Sequence, residues 1–126
     1  MKVGDRLPSL TKDPIERIQL VKYAGASGDF NRIHVEEGFA IAAGYPSVFA
    51  HGMLVMAFLG QLLSERVAPT RIRRFSSRFK AITWPGDTIT CHGEVVALRD
   101  GEADLKLWAE TQNGTITVEG AATILV

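Results

Sequence analysis

A run of apolar residues from Gly52 to Leu63, inside HGMLVMAFLGQLLSERV, constrains this chain more than any other stretch. Only Gln61 within it is strongly polar. A surface helix carries one apolar stripe and one polar face, whereas a helix that is apolar all round is wrapped by other structure. A membrane span would need about 20 apolar residues, more than this run supplies. The sequence therefore predicts a buried central helix from His51 to about Val67, with charge returning at Glu65 and Arg66 and Pro69 ending it. The first N–H groups of such a helix have no partner within it. Gly52, lacking a Cβ, lets a ligand atom approach that positive end closely. The helix is expected to serve both as core and as a seat for a developing oxyanion.

The chain after Pro69 reads as strand, over residues 71–84, 88–98, 103–112 and 115–125. In Trp84-Pro85-Gly86-Asp87, proline presets one central position of a turn and glycine supplies the positive φ of the next. Asp100-Gly101 and Asn113-Gly114, each between alternating apolar runs, are strong hairpin signals. The expectation is an α+β domain over residues 1–126, with a four-stranded antiparallel meander curled around the long central helix. One sheet face would carry Thr88, Thr90, His92 and Glu94, and the other Ile89, Cys91 and Val95. Upstream, Gly4, Pro8 and Pro14 keep any strand short. Ile15, Ile18, Val21 and Ala24 or Gly25 approximate helical spacing, with Asp13-Pro14 as the helix start. A short helix follows over residues 36–43. Free sheet edges invite strand pairing with a second copy, so a dimer is expected.

Composition narrows the function. A chain of 126 residues suits one domain, and its formal net charge of zero gives no support to a nucleic-acid or anionic-membrane role. The lone Cys91 excludes an internal disulfide and a cysteine-rich zinc site and fits a reducing compartment. Its alternation predicts an inward, unreactive thiol, and His92 beside it points outward. The start, MKVGDRLPSL, lacks the apolar core of a signal peptide, and the expected location is cytoplasmic. Arg71, Arg73, Arg74 and Arg78 share one strand. Alternation would put the first two opposite the last two, as phosphate contacts or as a solvated edge.

The stretch with chemical content is Tyr23-Ala-Gly-Ala-Ser27-Gly28-Asp29-Phe-Asn31-Arg32-Ile33-His34. It places an acid and an imidazole five residues apart across a turn. Brought together, they can hold one water and move its protons near neutral pH, where histidine titrates. Spacing alone leaves open a turn-forming aspartate and an ordinary packed histidine.

This stretch resembles the signature of the R-specific enoyl-CoA hydratases, the MaoC-like dehydratases of the hot-dog fold. Their Tyr, small residues and Ser-Gly-Asp-x-Asn-Pro-(Ile/Leu)-His are matched by Tyr23, Ser27, Gly28, Asp29, Asn31, Ile33 and His34. Phe49-Ala-His51-Gly52-Met53-Leu54 is similar to the start of the family's central helix. Trp84-Pro85-Gly86-Asp87 is similar to its turn between the first two strands after that helix. Arg32 departs from the usual proline, and Ala57 stands where some members carry serine.

The resemblance implies a single hot-dog domain that hydrates trans-2-enoyl thioesters to (3R)-3-hydroxyacyl thioesters, or performs the reverse dehydration. Asp29 and His34 would hold the water, and the Gly52 N–H would bind the thioester oxygen. Ser27, Asn31 and His51 would support them, with His51 marking the helix start and orienting Gly52. Phe39, Ile41, Tyr45, Phe49, Met53 and Met56 would line the acyl slot. No metal or redox cofactor is implied, since coenzyme A or an acyl-carrier protein enters with the substrate. The partner would be a second copy or a different hot-dog chain. Two rival readings are a hot-dog thioesterase and a non-catalytic acyl-binding subunit. The first uses an acid on the central helix, where no carboxylate precedes Glu65; the second needs neither Asp29 nor His34.

Overall fold

A computed structural model describes residues Met1–Val126. Strand β1 (Leu10–Thr11) leads to helix α1 (Arg17–Ser27), a 3₁₀ turn (Arg32–His34), short α2 (Glu37–Ala42) and the central helix α3 (Gly52–Ser64). Strands β2 (Ile72–Phe79), β3 (Thr90–Arg99), β4 (Glu102–Glu110) and β5 (Ile116–Leu125) follow. All five strands form one antiparallel sheet in the order β1-β3-β4-β5-β2.

The last three strands are the expected meander, with Gly101 at φ 72° and Gly114 at φ 79° in its two turns. The expected place of β2 is corrected. It pairs with β5 at the far edge, Phe75 against Ala122 and Phe79 against Val118, and not with β3. Residues 84–87 do form a turn, with Gly86 at φ 92°, but it lies in the crossover from β2 to β3. Its backbone is used elsewhere: Gly86 N–H donates to the Ile15 carbonyl and Ile15 N–H to the Asp87 carbonyl. The strand ends at Phe79 because Lys80 and Ala81 both donate to the Thr117 carbonyl, which closes the ladder.

Helix α3 lies across the inner face of this sheet. Leu54, Val55, Phe58, Leu59, Leu62 and Leu63 are buried and join a core with Ile89, Cys91, Val95, Leu105, Leu107, Val118, Ala122 and Ile124. Burial of each large apolar side chain contributes about 2 kcal/mol, so this face holds the helix in place. The helix is shorter than expected. His51 is its N-cap and Glu65 its C-cap, while Pro69 opens a separate 3₁₀ turn. It is also not wrapped all round: Met53, Ala57 and Ser64 are exposed, and Met56 and Gly60 are partly covered.

Helix α1 begins after Glu16, not at Asp13. It turns Leu20 and Ala24 inward and leaves Ile18 and Val21 exposed. Its apolar residues point in several directions, so spacing does not choose the buried face. The β3 alternation holds, with Ile89, Cys91 and Val95 fully buried. Burial pushes the Cys91 thiol up to about 12, which leaves it protonated and inert. His92 lies on the outer face against Glu110 at 2.8 Å. The four arginines do not share one strand: Arg71 ends the 3₁₀ turn before β2, and the register shifts between Ile72 and Arg74, so simple alternation does not run through them. No helix of the chain is long and apolar enough to cross a membrane.

Candidate active site

Helix α1 ends because Gly28 adopts the left-handed conformation, φ 77°, with its N–H on the Ala24 carbonyl. Side chains with a Cβ reach that conformation only at a cost, and glycine reaches it freely. Asp29 therefore leaves the helix abruptly. Its N–H donates to Ser27 Oγ, and its Oδ1 accepts from the Asn31 N–H, both at 3.2 Å. Asn31 Oδ1 then accepts from the Ile33 N–H at 3.2 Å and caps the 3₁₀ turn that carries His34. Short polar side chains bonding to backbone two residues away are a standard way to fix a turn. Arg32 supplies a different restraint from proline. Its Nε donates to Glu36 Oε2 at 2.7 Å and its guanidinium lies 4.6 Å from the Phe39 ring centre. Both partners of that ion pair are exposed, so the tether is weak.

His34 is buried, with Nδ1 2.7 Å from the Phe49 carbonyl oxygen. A carbonyl can only accept, so Nδ1 carries the proton and neutral His34 presents a bare Nε2. His51 is 1% exposed, and its Nε2–H donates to the Asp29 backbone carbonyl at 3.2 Å. The two imidazoles stack, with centres 3.9 Å apart and planes 25° apart, and Tyr23 packs edge-on against His51 at 4.8 Å. One carboxylate oxygen of Asp29 and one ring nitrogen of each histidine lie within 4.8 Å of one another. Burial, reinforced by the neighbouring His34, holds His51 below its ordinary value of 6.5. Burial and the charge of Asp29 push the Tyr23 phenol up. His51 is thus a neutral ring at neutral pH, and its buried Nδ1 has no partner.

An acid and two imidazoles in reach of each other can bind a metal ion, but this stack suits that use poorly. Imidazole lone pairs lie in the ring planes. Nearly parallel rings aim them side by side and not at one point about 2 Å from both nitrogens.

The buried segment Val48–His51 brings the tip of α3 to the same place. Ala50 N–H donates to the Thr83 carbonyl at 2.9 Å, while the Phe49 carbonyl receives His34. Leu54 is the first helix residue whose N–H finds an acceptor, the His51 carbonyl. The N–H groups of Gly52 and Met53 have none in the chain. Two free donors at a positive helix end therefore stand one peptide away from the stacked histidines. Sequence reasoning placed His51 beside Gly52. It is the N-cap of α3, and its ring meets Asp29, His34 and Tyr23.

The residues named for the acyl slot scatter. Phe49 is buried, edge-on to His34 at 5.1 Å and against Tyr45 at 4.6 Å. Phe39, Ile41 and Met53 are exposed, and Met56 is partly covered. An apolar cavity of about 300 Å³ does reach the helix tip. Phe49, Ala50 and Gly52 line it with Val55, Phe79, Lys80, Ala81, Ile82, Thr83 and Val118. The last seven were missed, since their meeting depends on the pairing of β2 with β5. A glycine opening a helix signals that something approaches its backbone, and in this fold that neighbour is Phe79.

A curled antiparallel sheet around one helix, with an acid and an imidazole at that helix's tip, places the chain among hot-dog proteins. More narrowly, it belongs to the MaoC like domain family, whose model matches residues 2–118. It is 31% identical over 111 residues to the (R)-specific enoyl-CoA hydratase of Aeromonas caviae, covering 84% of this chain and 82% of that one. The structure of the (R)-hydratase from A. caviae involved in PHA biosynthesis superposes with a TM-score of 0.89 at 28% identity, over 100% of this chain and 97% of that one. The chain is also 35% identical over 106 residues to the fatty acid synthase beta subunit TOXC of Cochliobolus carbonum. That match takes in 81% of this chain but only 5% of the much longer relative.

Proposed function

We propose that the chain is a hydro-lyase that adds water to trans-2-enoyl thioesters of coenzyme A or an acyl-carrier protein, giving the (3R)-3-hydroxyacyl thioester, or runs the reverse dehydration. The observation that carries this reading is the meeting of Asp29 and His34 beside the unpaired N–H groups at the tip of α3. A water between the Asp29 carboxylate and His34 Nε2 gives up one proton to the pair. Its hydroxyl bonds to C3, the C2–C3 π electrons move to C2, and the pair returns a proton there. Negative charge develops on the thioester oxygen as this happens. The Gly52 N–H meets it, and a donor so placed contributes about 3 kcal/mol. The Phe49 carbonyl fixes the His34 tautomer and stabilises the ring when it is charged.

Ser27 and Asn31 hold the loop, and His51 holds the Asp29 backbone. No metal or redox cofactor is needed in this scheme. A thioesterase reading would require an acid on α3, and Gly52–Ser64 contains none.

The test is incubation with crotonyl-CoA. Loss of the conjugated absorbance with (3R)-hydroxybutyryl-CoA as product is expected. Release of free thiol, or no reaction with enoyl-CoA substrates of any length, would overturn the proposal.

A further inference from the structure

Helix α3 faces β2 through two glycines, and each lies under a phenylalanine. A Cβ built on Gly52 would stand 2.7, 2.8 and 3.0 Å from Cε2, Cδ2 and Cγ of Phe79, and one on Gly60 would stand 3.4 Å from Cε2 of Phe75. Eight residues of helix rise about 12 Å and four residues of strand about 13 Å, so the two pairs form matched rungs between the elements. Phe79 ends β2 on the inward face, opposite Val118. It is nevertheless 52% exposed, with glycine and not a side chain beneath it. Its ring walls the apolar cavity at the helix tip, together with Phe49, Val55, Ile82 and Val118. At about 300 Å³ this cavity is at the small end for ligand sites.

We infer that Phe79 is a specificity-determining residue that limits the length of the acyl group accepted at the α3 tip. This rests on the hydratase reading for the seat of the thioester. A carbonyl at Gly52 leaves its tail facing the cavity, because Gly52 and Phe49 belong to both. The ring lies over the only α3 position in that cavity without a side chain, where a longer chain would have to pass. Trimming it opens the slot toward Val55 and Val118, both buried and apolar.

The test compares wild type, Phe79→Ala and Phe79→Leu. Calorimetric dissociation constants are measured for butyryl-CoA and decanoyl-CoA, which are saturated and cannot be hydrated. Hydration of crotonyl-CoA and trans-2-decenoyl-CoA is followed in parallel, and thermal melts report folding. In Phe79→Ala the affinity ratio of decanoyl to butyryl should rise about tenfold, as expected for a few newly buried methylenes. Phe79→Leu should fall between, and the kcat/KM ratio should move the same way. A ratio within twofold of wild type in both folded variants overturns the inference, even if hydration proceeds normally. If the ratio shifts while no variant hydrates either enoyl thioester, Phe79 still limits the acyl group bound at the α3 tip, and it is the hydration chemistry of the proposed function that falls.

Discussion

At the scale of single residues, the account turns on how tightly side chains press on one short stretch of backbone. Gly52 has no room for a methyl group beneath Phe79. Gly52→Ala should therefore force the ring or the helix tip to shift, and overpacking of this kind costs about 1–3 kcal/mol. Adding Phe79→Ala removes the obstruction, so the double variant should melt higher than Gly52→Ala alone. Equal melting temperatures would show that the contact is not tight.

His51 makes a separate prediction. Its folded form binds protons less readily than its unfolded form, so its stabilising contribution is present above the ordinary value of 6.5 and is lost as pH falls below it. Wild type should therefore lose melting temperature between about pH 7.5 and 5.5 more steeply than His51→Phe, which keeps the stacking but cannot titrate. Parallel slopes would remove His51 from that account. The Asp104 carboxyl, held low by Arg99, belongs to a more acidic window below its ordinary 3.8.

At the scale of elements, what could be read from sequence divides by range. Helix α3 was legible because twelve residues from Gly52 to Leu63 hold one strongly polar side chain. The β3–β4–β5 hairpins were legible because Gly101 and Gly114 mark turns that depend on neighbouring residues alone. The position of β2 was not, because its pairing with β5 joins residues such as Phe79 and Val118 across most of the second half of the chain. Nothing local near Trp84–Asp87 distinguishes a hairpin turn from a crossover. The same limit applies at the site. The turn carrying Asp29 and His34 could be named in advance, but the stacking of His51 on His34 needs the fold. So does the cavity wall made by Phe79, Ile82 and Val118.

At the scale of the whole molecule, the chain leaves two apolar features open side by side. Strand β2 is a sheet edge, and Met53, Ala57 and Phe79 are exposed next to it on α3 and at the end of β2. An unpaired edge beside an uncovered apolar stripe is a natural place for strand pairing with a second copy. We propose a homodimer built there. Light scattering at micromolar concentration should give twice the chain mass of 13.7 kDa, and Ser77→Pro on β2, at a position whose N–H points away from β5, should lower it. A monomeric mass for the wild-type chain would contradict that assembly.

The central claim is that Asp29 and His34 move the protons of one water at the tip of α3. The most direct measurement is kcat for crotonyl-CoA hydration by Asp29→Asn and His34→Ala, each shown by its melting curve to be folded. The account predicts losses of about 10²–10⁴-fold in each variant, the range of a positioned acid or base. Hydration at near wild-type rate in either folded variant would contradict it.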